Sequence, residues 1–325
     1  MEISLCLIVR NEEKRLKHCL QSFLPLTSEI IVVDTGSTDG TKQIAESCGA
    51  EVVDFEWIDD FSAARNVALE RATCEWVMMV DADDAMRPDD AAALKKSLEE
   101  LDDDVLGVML PYGGAHGGRS LYRARIWRRD LNARYVLAVH EYLAPSQEQL
   151  KHFVRLDFPI IHTTPAQEFA KSMDRNIAIM KKALEEGSDE PRYLYYMGHD
   201  HQSQGDMEEA VKWYTKFVER DDVHTHEKNR AYLRMAQCLR ALGDVPGAQN
   251  ALHDAIDIEP HFIEPHLLMA DILQEKGLIE EAIGYAKSAT KCRMPKTYVP
   301  LKTNLYNGYA QKRLEELLSL QQEQA

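Results

Sequence analysis

No stretch of this 325-residue sequence is apolar for long enough to cross a bilayer, since a spanning helix needs about 20 such residues. The N-terminus, MEISLCLIVRNEEK, offers only Ile3 to Val9 as an apolar run, with charged Glu2 ahead of it and no small-residue cleavage site. It reads as a strand rather than a secretion signal. Cysteine is scarce and scattered: Cys6, Cys19, Cys48, Cys74, Cys238 and Cys292 form no C-x-x-C pair and no zinc-ligand spacing. That excludes a disulfide scaffold and a thiolate metal centre, and predicts reduced thiols in a reducing compartment. Positive charge is also in deficit. Lys and Arg number 38 against 54 Asp and Glu, leaving −16, and such a surface repels phosphate backbones and anionic lipid. These absences predict a soluble, cytoplasmic chain that binds no nucleic acid and spans no membrane. Its length suggests two domains at about 100 to 200 residues each.

What is present draws attention first at VMMVDADD, Val77 to Asp84. An apolar run suited to a buried strand ends in three carboxylates, Asp81, Asp83 and Asp84, with only Ala82 between them. Carboxylates this close repel one another, and buried ones shift their pKa values or take up a cation. A positive partner is expected there.

The first half alternates short apolar runs with helical patterns, the mark of a mostly parallel sheet with crossover helices. ISLCLIV, EIIVVDT, EVVDF and EWVMMV read as strands, and EEKRLKHCLQSFL, GSTDGTKQIAESCG and Ser62 to Ala72 as helices, the second capped by Ser37 or Thr38. Strand one ends in Arg10-Asn11-Glu12, strand two in Asp34-Thr35-Gly36-Ser37 and the later strand in Asp81-Ala82-Asp83. Ligands of open α/β sheets bind beyond the carboxyl ends of the strands, so these polar ends point at one pocket. VLGVMLPY and RSLYRARIW flank GGAHGG as a hairpin, and Arg119, Arg123, Arg125, Arg128 and Arg129 gather on it. LAVHEYL (Leu137 to Leu143) and FPIIHTT follow as strand-like pieces.

From about Gln167 the pattern is helical without interruption, and it repeats. Gly205, Gly243 and Gly277 each precede by five positions a helical Ala: Ala210, Ala248 and Ala282. Gly198, Ala236 and Ala270 supply a small residue seven positions before each turn. These are three tetratricopeptide repeats, helix-turn-helix units that stack on their neighbours. The turns are 38 and then 34 residues apart, and the extra four fit one additional helical turn in DDVHTHEK. Leu301 to Leu320 reads as a final capping helix.

LCLIVRNEE, IIVVDTGSTDGT, DDFSAARNVALERA and VMMVDADD, in this order, resemble the successive motifs of inverting glycosyltransferase family 2. The resemblance is to the branch in which tetratricopeptide repeats follow the catalytic domain, which includes bacterial peptide glycosyltransferases of the sublancin type. It implies an α/β GT-A domain, Rossmann-like with a mostly parallel sheet, over residues 1–167. An all-α domain over 168–325 would then hold a linker helix, three repeats and a capping helix. The implied donor is a UDP-sugar. A sugar nucleotide's leaving diphosphate gains charge as the glycosidic bond breaks, and a divalent ion neutralises it. Hard oxygen ligands suit Mn²⁺ or Mg²⁺.

By this resemblance Asp83 is a metal ligand, Asp81 faces the ribose or the ion's water shell, and His162 is a further ligand or a structural histidine. Asp84 is expected to cap the next segment. Asp34 and Thr35 stand where the family has a pair of acids, which makes Asp34 the uracil or ribose contact. Arg10 and Asn11 fit a nucleotide edge, with Asn11 alternatively capping the helix at Glu12. Arg65, with Asn66 beside it, can pair with phosphate or with Asp81. Arg123 and Arg125 share a strand face and can hold the diphosphate or an anionic acceptor, or lie on a solvated face. An inverting transfer needs a base to take the acceptor's proton. Glu141 is the resemblance's choice and His140 the second, because strand alternation would send the two to opposite faces.

The sequence thus reads as a metal-dependent inverting hexosyltransferase whose repeats bind a peptide or protein acceptor, or a second copy of the chain as a homo-oligomer. Two alternatives differ in kind: a lipopolysaccharide or other glycan as acceptor, and a non-catalytic scaffold built on the same two domains.

Overall fold

A computed structural model of the chain describes residues 1–114, 121–162, 166–295 and 303–324. It divides into two compact units, Met1–Arg175 and Asn176–Ala325. The first runs β1 (Ile3–Val9), α1 (Leu16–Phe23), β2 (Glu29–Asp34), α2 (Thr41–Ser47), β3 (Glu51–Asp54), α3 (Phe61–Arg71), β4 (Trp76–Met79) and β5 (Asp84–Ala85). It continues through α4 (Pro88–Glu99), β6 (Gly107–Gly114), β7 (Leu121–Arg128), β8 (Tyr135–Val136), β9 (Tyr142–Leu143), α5 (Gln147–Leu150), β10 (Phe153–Arg155) and β11 (Ile160–His162). The division between units falls inside the next helix, α6 (Ala166–Glu185), and not at its start.

Nine strands form one sheet in the order β3-β2-β1-β4-β7-β6-β11-β5, with β10 also on β6. From β3 to β4 the strands are parallel, β7 is antiparallel to both neighbours, and β11 is parallel to β6. The sheet is mostly parallel, as expected, with a mixed half beyond β4. Helices cover both faces, so the parallel strands must be apolar on both sides. In β1, Leu5, Leu7 and Val9 join one core with Leu16, Leu20 and Phe23 of α1, while Cys6 joins another with Ala64 and Ala68 of α3. The small residues of α3 let it lie close on the sheet, and the Cys6 thiol reaches the Ala68 carbonyl at 3.6 Å.

Several local expectations change. Helix α2 is not capped by Ser37 or Thr38: Asp39 accepts from Thr41 N–H at 3.0 Å, and Ser37 and Thr38 instead bond to Asn11. Asn11, with φ 57°, does not cap α1, which begins only at Leu16. LAVHEYL is not one strand. Tyr135–Val136 and Tyr142–Leu143 pair across a bend that contains two left-handed residues, Leu137 (φ 74°) and His140 (φ 53°). The argument from strand alternation therefore does not apply to His140 and Glu141.

The second unit carries the rest of α6 and α7 (Pro191–Gln204), α8 (Met207–Val218), α9 (Thr225–Ala241), α10 (Val245–Ile258), α11 (Ile263–Glu275), α12 (Ile279–Lys291) and α13 (Tyr309–Gln324). The capping helix thus starts at Tyr309, later than the pattern suggests, and Leu314 and Leu317 seat it in the core shared with α11 and α12. Helix α9 has 17 residues against 13 in α11, which accounts for the longer first spacing. Gly205, Gly243 and Gly277 close the first helix of each repeat at φ 88°, 82° and 75°, a backbone that other residues adopt only under strain.

Where the helices of a repeat cross, small faces large in a graded way. Gly198 meets Tyr214, and the positions at the same sequence offset in the next copies are Ala236 and Leu252, then Ala270 and Ala286, all buried. A Cβ at position 198 would lie 2.8 Å from the Tyr214 ring. Gly198→Ala is expected to destabilise the fold by about 1–3 kcal/mol through overpacking, against the ~1 kcal/mol that Ala gains over Gly in a helix. Adding Tyr214→Leu should restore stability; urea denaturation of the single and double variants checks both. No helix among the described residues is long and apolar enough to cross a membrane.

Candidate active site

The carboxyl ends of β1, β2 and β4 carry the polar residues, and the register of distant strands completes the site. β11 runs antiparallel to β5 and sets His162 opposite Asp84. His162 Nδ1 lies 3.0 Å from Asp84 Oδ1 and 3.4 Å from Asp83 Oδ1, with the Tyr112 hydroxyl at 2.7 Å. Burial pulls the His162 pKa down, but the bond to Asp84 and the charges of Asp83, Asp84 and Asp81 outweigh it, so the net shift is upward. Ligand atoms of Asp83, Asp84 and His162 all fall within 4.8 Å of one another. These residues could hold a metal ion.

Asp84 does not cap the following segment, since α4 begins at Pro88 with Arg87 ahead of it. It is fully buried, and its Oδ2 accepts from the Asp81 N–H at 2.9 Å. The acid turn is thereby folded back on itself, and two guanidiniums compensate it. Arg125, 5% exposed, reaches Asp81 at 3.5 Å and Asp84 at 3.8 Å, donates to the Met79 carbonyl, and lies 4.2 Å over the Tyr112 ring. Arg123 sits on the same ring at 4.7 Å but is exposed. Arg128 and Arg129 bind Glu75 and the Cys74 carbonyl at the far end of β4, and Arg119 lies outside the described residues.

Arg65 is the second guanidinium, and it bridges. Its Nη2 donates to Asp81 Oδ1 and its Nε to Glu141 Oε1, both at 2.7 Å. Burial disfavours the Arg65 charge, but Asp81 and Glu141 raise its pKa well above the ordinary value. In Asp81 burial raises the pKa, yet Arg65 and Arg125 prevail and hold it well below the usual carboxylate range. The positive partner demanded by the acid run is thus a pair of arginines, with room for a cation at Asp83.

Helix α3 places the Glu141 hairpin. Asp60 caps it by accepting from Ala63 N–H, the Phe61 N–H donates to the Ala138 carbonyl at 2.7 Å, and Asn66 exchanges two 2.9 Å bonds with the Tyr135 backbone. Both ends of the Asn66 amide are thus occupied in pinning β8. Thr35 is buried and donates to the Val9 carbonyl. Asp34 Oδ1 accepts from the N–H groups of Gly36 and Ser37, while its Oδ2 is buried with no partner. Arg10 is exposed at the end of β1. Tyr112 and Arg175 escaped the sequence reading. Arg175 lies 4.7 Å over the Phe61 ring with Glu141 and Arg10 as charged neighbours, and nothing in its local sequence separates it from the charged face of a long helix.

An α/β domain that gathers carboxylates, arginines and a histidine at its strand ends has the makings of an enzyme's active site. Residues 4–149 match the model of glycosyl transferase family 2, and residues 191–224 match that of the tetratricopeptide repeat. A glycosyl transferase family 2 domain is thus followed along this chain by a tetratricopeptide repeat region. It is 27% identical over 307 residues to a tetratricopeptide repeat-containing protein of Synechococcus elongatus, covering 89% of this chain and 75% of that protein. It is 30% identical over 220 residues to the SPbeta prophage-derived glycosyltransferase SunS of Bacillus subtilis, covering 65% of this chain. The chain spans about half, 52%, of the length of SunS. Among solved structures, S. aureus TarS 1–349 in complex with UDP-GlcNAc is similar at 18% identity and TM-score 0.46, covering 79% of this chain and 91% of that one. At that level the likeness adds nothing to the assignment.

Proposed function

We propose that this glycosyltransferase moves a hexose from a UDP-sugar, with inversion, to a peptide or protein acceptor engaged in part by the repeats. The observation that carries the reading is the Arg65 bridge, which ties the candidate base Glu141 to the D-x-D residue Asp81 with two 2.7 Å bonds. A scaffold has no need to line up two carboxylates on one buried guanidinium. In this reading Glu141, held by Arg65 at Oε1, takes the proton of the acceptor's nucleophilic atom as that atom attacks the anomeric carbon and the bond from that carbon to the UDP diphosphate breaks, UDP leaving with the electron pair. The unpartnered Asp34 Oδ2 receives a donor of the uracil or ribose, and Arg10 lies at the nucleotide edge. Asp83, Asp84 and His162 would hold Mn²⁺ or Mg²⁺, with Asp81 beside them. When bound, the ion supplies Lewis-acid neutralisation of the diphosphate.

Two measurements test this. UDP-sugar hydrolysis and transfer to a peptide, followed side by side, should both be detectable, and absence of both returns the chain to the scaffold reading. In calorimetry UDP should bind more tightly with Mn²⁺, and Asp83→Ala should abolish that increment. Metal-independent UDP binding by the parent would remove the ion from the reading.

A further inference from the structure

The Arg65 guanidinium is hydrogen-bonded at two of its three nitrogens. Nη2 donates to Asp81 and Nε to Glu141, whereas Nη1 is buried and has no hydrogen-bond acceptor among the described residues. Two bonds to separate carboxylates leave a planar fork able to turn about the line that joins its acceptors. An aromatic ring supplies a further contact. The central carbon of the guanidinium lies 5.4 Å from the centroid of the Tyr135 ring, within the ~6 Å reach of cation–π attraction. A third carboxylate in that place would compete with Glu141 and Asp81 for the same N–H donors. A ring face attracts the charge without taking either bond.

Tyr135 is itself held in place. It is buried, its ring stands edge-on to buried Trp127 with centroids 6.2 Å apart, and its backbone N–H and carbonyl both bond to the Asn66 side chain at 2.9 Å. Tyr135 lies opposite Leu143 in the β8–β9 hairpin, and Glu141 stands just ahead of β9 on the other arm. Adjacent residues of α3 therefore grip both arms: Asn66 holds the arm of Tyr135, Arg65 holds that of Glu141, and the ring meets the guanidinium between them. Burial pushes the Tyr135 phenol up to about 12, against the pull of Arg65 and Arg125, so the side chain stays neutral near pH 7. Three features of one residue, its ring, its backbone and its place on the hairpin, thus converge on the Arg65 bridge.

We propose that Tyr135 is a positioning residue of the transfer reaction, its ring fixing the Arg65 guanidinium and with it the Glu141 carboxylate. It acts through Arg65 and touches no substrate. The inference rests on the reading of Glu141 as the base. The test uses the full chain with Tyr135 replaced by phenylalanine, and then by phenylalanines carrying one, two and three ring fluorines, which keep the shape of the ring while draining negative charge from its face. Tyr135→Phe should turn over within about twofold of the parent, and kcat should then fall stepwise, by about tenfold at the third fluorine, with the donor KM unchanged. The urea midpoint should fall along the same series, and stay level along it when Arg65→Gln is also present. A level kcat, or a rise in KM in its place, overturns the proposal. So does a midpoint that falls equally with and without Arg65→Gln, which makes the ring a packing element alone, and so does a large loss at Tyr135→Phe, which moves the effect to the hydroxyl. Glu141→Gln is read separately: turnover near the parent value removes the base reading, while a kcat that still falls with fluorination leaves Tyr135 acting through Arg65 on Asp81.

Discussion

Glu141→Gln is expected to reduce turnover about 10²- to 10⁴-fold, the usual contribution of a general base, with donor affinity nearly unchanged. Gln keeps the size of the side chain, and its amide oxygen can still accept the 2.7 Å bond from Arg65 Nε. What it cannot do is receive a proton. A loss confined to kcat, with UDP-sugar binding preserved in calorimetry, would assign the defect to the chemical step and not to the fold. His140 is the control. It occupies a left-handed position in the same bend, which Ala, keeping the Cβ, adopts no more readily, so His140→Ala should alter the hairpin more than the chemistry. If His140→Ala shows the kinetic pattern and Glu141→Gln does not, the two roles are exchanged.

Arg65→Ala is expected to lower the free energy of unfolding by about 3–5 kcal/mol, because removing one member of a buried ion network leaves the others uncompensated. The lower end of that range is favoured, since the Asp81 side chain is 26% exposed and also faces Arg125 at 3.5 Å. The pH dependence has a definite sign. Asp81 has a depressed pKa in the folded chain, so in the parent it contributes stability above its unfolded value near 4 that is lost as pH falls through the folded value. Without Arg65 most of that contribution disappears. The gap in stability between parent and Arg65→Ala should therefore be widest near neutrality and narrow below about pH 4. Urea denaturation at pH 7 and pH 3.5 measures it, and a gap independent of pH would mean that Arg65 acts through packing alone.

The parts of the fold legible in the sequence were those with a local cause. Residues Ile3–Val9 are apolar at every position because that strand is covered on both faces, and each repeat's Gly stands where a helix must stop. The capping of α2 was misjudged for a non-local reason: Ser37 and Thr38 have the right chemistry for a cap, but Asn11, 26 and 27 residues away, engages them first. Asp84 shows the same limit at the site. Its position in the acid run was plain, whereas its partners His162, 78 residues on, and Arg125 depend on which strands lie side by side. Tyr112 reads as the end of an apolar strand until β7 lays two arginines on its ring.

The graded contacts within the repeats bear on how such an array can be rebuilt. A first helix carrying Gly198 leaves room for any of the three second helices, whether they present Tyr214, Leu252 or Ala286. The reverse exchange is penalised, because an Ala at the crossing would lie 2.8 Å from the Tyr214 ring. Recombination among these units is therefore directional: the first helix of the leading repeat can be copied forward along the chain, while the tyrosine-bearing second helix can move only in company with it.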